Sequence, residues 1–116
     1  MANTLADVIA KQFGVKTFTR LNPDASSIGL TAARILGNNP NRLAFLFVNL
    51  SANNIYLNPI NPPTATNGVR VGANGGNLVV LFSEDFDLVG YEWLGLADGA
   101  GSSFLALEVN SQDIRT

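Results

Sequence analysis

The sequence contains no cysteine and no histidine. Without cysteine there can be no disulfide, no thiol nucleophile and no thiolate metal ligand. Without histidine the usual zinc sites lose their commonest nitrogen donor, and Ser-His or Cys-His proton relays have no base. Charge is scarce as well, at 14% of residues against roughly 25% in a typical soluble domain. The basic residues Lys11, Lys16, Arg20, Arg34, Arg42, Arg70 and Arg115 are scattered, with no interleaving of basic and aromatic residues, and the formal net charge is −2. Nucleic-acid affinity rests largely on neutralising phosphates, so this pattern predicts no direct nucleic-acid partner. No apolar run reaches the ~18 residues that a membrane-crossing helix needs, which predicts no membrane partner. The first residues, MANTLADVIAKQFG, lack the basic n-region and long apolar h-region of a signal peptide. The expectation is a protein made and kept in a cytoplasm, or released by lysis.

What the chain has instead is apolar content and turn residues. Its 116 residues are 47% hydrophobic, with 11 glycines and 5 prolines. That length suits one domain, able to bury on the order of two-thirds of its unfolded surface. Low charge beside high apolar content leaves two readings open. Either some apolar surface ends up against a partner, or a β-sandwich carries an Asn/Thr/Ser surface in place of a charged one.

Residues 4–13 form the one good helix candidate. Thr4 caps, Asp7 sits three residues on as in a capping box, and Gly14 stops the helix. Leu5, Val8, Ile9 and Phe13 recur at helical spacing and make one apolar face. So short a helix is marginal alone in water and needs something to lie on.

From residue 16 the period changes to two. The segment 16–21 is rich in β-formers, and Asn22-Pro23-Asp24 breaks it. Residues 26–36 read as a strand or as a loop with a short strand. The turn Asn38-Asn39-Pro40-Asn41 leads into 42–50, apolar on both faces and so predicted to be central and covered on both sides. Residues 54–58 are predicted to return as its hairpin partner. A loop with three prolines follows, then strands near 69–71, 77–82, 90–97 and 103–109. In the last of these Phe104, Ala106 and Glu108 lie opposite Leu105, Leu107 and Val109. Short strands with turns every 8–12 residues predict an all-β fold: an antiparallel β-sandwich or jelly-roll-like barrel with a short N-terminal helix or arm. The predicted division is an arm over 1–22 and a sandwich over 23–116. Jelly roll, immunoglobulin-like sandwich and partly open barrel stay open.

Residues capable of chemistry are few. Glu84, Asp85 and Asp87 cluster, and paired carboxylates can hydrolyse glycosides or hold calcium. Their spacing matches no calcium loop, and the plain reading is a solvated strand end. Gly72-Ala73-Asn74-Gly75-Gly76 lacks the Gly-Lys-Ser/Thr ending of a phosphate loop and reads as a hairpin turn. Asn49-Leu50-Ser51 fits a glycosylation sequon. Tyr56, Phe82, Tyr91 and Trp93 form a sugar-stacking platform if they share a face, and otherwise core. Arg42 and Arg70 are predicted to pair with Glu92 or Glu108 across strands, a pairing worth well under ~1 kcal/mol where it is exposed. These residues predict no catalytic group, no cofactor and no metal, and so no enzyme.

Two stretches carry a resemblance. NNPNRLAFLFVNLSANNIYLNP, followed by TNGVRVGANGGNLVVLFSEDFDLVGYEWLGLADGAGSSFLALEVN, resembles small β-rich virion proteins of tailed bacteriophages, most of all capsid decoration (cement) proteins. The similar features run over 38–110: Asn-Pro-Asn-Arg before an apolar strand, Asn-Leu-Ser-Ala-Asn-Asn-Ile-Tyr, a Gly-rich turn, an aspartate-bearing connector and a last strand ending in Glu108-Val109. The resemblance implies a structural protein on the outside of a phage capsid, assembled in the host cytoplasm. It implies the major capsid protein as partner and self-association as a dimer or trimer, without catalysis. Leu5, Val8, Ile9 and Phe13 would then dock on the capsid or a sister subunit, or pack on their own sandwich. The alternatives are another virion part (head-fibre base, tail or adaptor protein) or a small carbohydrate-binding module.

Overall fold

A computed structural model of the chain describes residues 15–113. The helix candidate at 4–13, with Leu5, Val8, Ile9 and Phe13, lies outside the described residues.

Among the described residues, nine strands make two antiparallel sheets. They are β1 (Val15–Leu21), β2 (Ser27–Ile28), β3 (Ala33–Leu36), β4 (Arg42–Asn49), β5 (Ile55–Asn58), β6 (Val69–Val71), β7 (Asn77–Leu81), β8 (Trp93–Ala97) and β9 (Ser102–Asp113). The first sheet runs β1-β9-β4-β7, with β2 also paired to β9; the second runs β3-β8-β5-β6. The fold is thus an all-β sandwich, as the alternation and turn spacing predict. β1, assigned to the arm from sequence, pairs with β9 from Val15↔Asp113 to Leu21↔Leu107 and forms one edge of the first sheet.

The core lies between the sheets. Phe45 and Phe47 of β4 face inward, with Phe104 and Ala106 of β9. From the second sheet come Ile35, Leu36, Ile55, Leu57, Val71 and Trp93. The Phe47 and Phe104 rings stack at 5.0 Å, and Phe45 meets Trp93 edge-on at 5.1 Å, geometries that aromatic quadrupoles favour. Gly95 is there because Ile35 is: a Cβ at Gly95 would stand 2.7 Å from Ile35 Cδ1.

The connections differ from the sequence expectation. β4 and β5, predicted as a hairpin, belong to different sheets and never pair. The same holds for β6 and β7 on either side of the Gly-rich turn. Both links are corners that carry the chain across the sandwich, and one side chain holds both. Asn49 Nδ2 donates to the carbonyls of Asn53 (2.6 Å) and Val71 (3.0 Å). Its Oδ1 accepts from the N–H and hydroxyl of Ser51. The second corner closes on the first through Gly75 N–H to Asn49 O at 2.7 Å, with Asn74 and Gly75 at positive φ, where Asn and Gly are tolerated best. Between β7 and β8 the chain makes a helical turn, Phe82–Asp85, and a 3₁₀ turn, Phe86–Gly90. No sequence expectation placed a helix there.

Candidate functional site

β4 is central, as expected, but its two faces differ. Phe45 and Phe47 are buried, whereas Ala44, Leu46 and Val48 on the other face are only half-buried. Among the described residues the second sheet covers the inner face alone, so the cover expected on both sides is found on one.

The strand register extends that open face. Directly paired residues in antiparallel strands share a face. Leu21, Leu107, Leu46 and Val79 therefore line up across β1, β9, β4 and β7. Beside them lie Val109, Ala44 and Leu81 in one row, and Leu105 and Val48 in another. Leu21 is 60% exposed and Val79 50% exposed. At the usual strand spacing and rise this surface is roughly 14 Å across in each direction. None of these positions carries a charge, and the neighbouring outward residues Thr17, Thr19 and Asn77 are neutral and polar.

The inner face of the same sheet changes character at the β1 end. Arg42 opens β4 and Glu108 sits in the middle of β9, both pointing into the sandwich. Their side chains are 2% and 1% exposed, and Arg42 Nε donates to Glu108 Oε2 at 2.6 Å. Arg42 also donates to the carbonyls of Val89 and Tyr91 (3.1 Å each) and of Gly37 (2.7 Å). One guanidinium thus ties the first sheet to the 3₁₀ turn and to the β3–β4 corner. The predicted Arg42–Glu108 pair exists, and it lies in the interior. Arg70 is exposed, and Glu92 lies near Arg34 instead, at 3.8 Å.

Above this pair is a polar cavity of about 340 Å³. Its walls include Phe18 and Arg20 of β1, Asp24, the Asn38–Asn39–Asn41 corner, and Glu108 and Asn110 of β9. It exists because the second sheet does not reach the inward positions of the edge strand, so that Phe18 stays 42% exposed. A second, less polar depression of about 220 Å³ lies beside Pro40, Phe82, Asp87 and Tyr91.

The four aromatic residues of the sugar-platform reading do not share a face. Trp93 is 3% exposed in the core, and its indole N–H donates to Leu88 O. Phe82 and Tyr91 line the smaller depression, while Tyr56 sits on β5 in the other sheet. Glu84 and Asp87 are exposed, and Asp85 Oδ2 accepts the Leu81 N–H at 3.0 Å, closing the helical turn. Among the described residues no three or more Asp and Glu side chains gather as a metal site. Asn49 of the sequon is wholly buried, with its amide fully engaged, so the folded chain presents no acceptor nitrogen there.

Sequence reasoning missed Phe18, Arg20, Asn39 and Asn110 as neighbours. One signal was available: Glu108 falls on the inward phase of β9, with Phe104 and Ala106, and a charge at a core position implies a buried partner.

Comparison of the chain with protein families, with curated proteins and with solved structures finds no match.

Proposed function

We propose that this chain is a non-catalytic structural protein of a phage virion, sitting on the outside of the capsid and stabilising it. The observation that carries the reading is the uncharged apolar face running from Leu21 through Leu107 and Leu46 to Val79. A contiguous uncharged apolar face on a small domain supports an interface there, and burying it is worth about 25 cal/mol per Å² before ordering costs. The choice of a capsid as partner rests on the resemblance over 38–110. In this role the chain self-associates as a dimer or trimer on the major capsid protein, and residues 4–13 add an apolar arm.

Co-sedimentation of the purified protein with phage heads stripped of it tests the reading. Saturable binding to expanded heads at a fixed ratio to the major capsid protein is expected, and loss of that binding in Leu21→Glu/Val79→Glu. Absence of binding to any head form overturns the proposal. Deleting residues 1–13 then assigns the arm. Binding lost at an unchanged Tm means docking on the particle, and a collapsed Tm means packing on the chain's own sandwich.

A further inference from the structure

The polar cavity at the β1 edge has unmet hydrogen-bonding capacity of a particular kind. Asn39 Oδ1 accepts the Asn41 N–H at 3.0 Å, which fixes the orientation of the Asn39 amide. Its Nδ2 therefore donates to Asn110 Oδ1, at 2.7 Å. That in turn leaves Asn110 Nδ2 as a donor without an acceptor, in a residue only 1% exposed. Native interiors rarely tolerate such a donor. Two residues away on the same face of β9, Glu108 Oε2 is taken by Arg42, while among the described residues Oε1 faces Arg20 at 3.6 Å. That distance is too long for a hydrogen bond. Arg20 is half exposed, so this wall can move at little cost.

The cavity wall thus holds, two residues apart on one face of β9, a donor without an acceptor that is closed to solvent until the wall moves, and a carboxylate oxygen without a short hydrogen bond among the described residues. A hydroxyl group, which donates and accepts at once, satisfies both. The charges select further. An anion would face Asp24 and Glu108, and a cation would face Arg20 and Arg42, so the fitting ligand is neutral. The volume of about 340 Å³ exceeds one water and falls at the small end of the range for small-molecule sites. Phe18 stands at the mouth with an exposed ring face that a sugar's C–H groups can cover.

We propose that this cavity binds a single neutral sugar ring, with one hydroxyl between Glu108 Oε1 and Asn110 Nδ2, Arg20 displaced to the rim, and Phe18 stacked on the ring. The site is independent of the apolar face on the opposite side of the sheet and of any capsid role.

The test is a ¹⁵N–¹H NMR titration of the full chain at millimolar D-glucose, D-galactose and N-acetyl-D-glucosamine, each also as its methyl glycoside. A saturable shift of the Asn110 side-chain amide and the Arg20 Nε–H is expected with at least one sugar. Phe18→Ala, at an exposed position that leaves the fold intact, should weaken it about three- to tenfold. Binding of both forms identifies a glycan end as the source, and binding of the reducing sugar alone identifies free sugar; either supports the site. Shifts absent with every sugar overturn the proposal and make the cavity a water site. Saturable shifts of the same groups with inorganic phosphate or calcium chloride overturn its neutral-ligand character. Full affinity in Phe18→Ala overturns its placement.

Discussion

Arg42 and Glu108 meet at 2.6 Å across the β4–β9 pair, although the strand partner of Arg42 is Asn110, two residues along β9, and both side chains lie out of solvent. An irregularity lies between Arg42 and Ala44, where β4 shifts against β9. The arginine points inward at the strand's start, within reach of the Gly37, Val89 and Tyr91 carbonyls.

A buried pair of this kind is fragile to the loss of one partner. Arg42→Met strands the Glu108 carboxylate and should cost about 3–5 kcal/mol. Glu108→Gln keeps an acceptor for Arg42 and should cost less. Arg42→Met/Glu108→Leu removes both charges and should recover much of the loss. Urea denaturation of the three variants measures this, and purely additive losses would refute the coupling.

Asn49 joins two corners with one amide. Asn49→Ala removes donors from the Asn53 and Val71 carbonyls and the acceptor for Ser51. The expected loss is about 1–3 kcal/mol, read from the denaturation midpoint. A loss within ~0.5 kcal/mol, as for an ordinary surface change, would show that water replaces the amide.

Gly95 and Gly72 form a matched pair of tests. A methyl at Gly95 collides with Ile35, whereas a Cβ at Gly72 has nothing within 4 Å. Gly95→Ala should destabilise by about 1–3 kcal/mol through overpacking. Gly72→Ala should stay within ~0.5 kcal/mol of the parent. Thermal unfolding distinguishes the two, and equal effects would contradict the packing described here.

The apolar face predicts behaviour in solution. Leu21→Lys/Val79→Lys alters side chains that are already at least half exposed, so Tm should hardly move. Self-association by sedimentation velocity should fall. A variant that lost stability and kept its association would place the interface elsewhere.

Much of the strand content was legible because alternation and turn chemistry are local. Residues 42–49 announce a strand by composition, and Asn22-Pro23 and Asn38-Asn39-Pro40-Asn41 announce breaks through fixed backbone preferences. Even the inward phase of Glu108 can be read from its neighbours on β9. Pairing could not be read in this way. Asn and Gly at 51–54 and 72–76 suit a tight hairpin and a sheet-crossing corner equally, because both need the same turn conformations. Only the packing of two sheets, and the reach of the Asn49 amide to the Val71 carbonyl, selects the corner. The candidate sites show the same division. The apolar residues at 44, 46, 48, 105, 107 and 109 were visible in the chain, but whether a second layer would cover them depends on where each sheet ends. The cavity follows from the edge strand overhanging the second sheet. Sequence determined which residues form strands; tertiary structure decided which strands meet and which face of β4 is covered, since both depend on contacts between segments far apart in the chain.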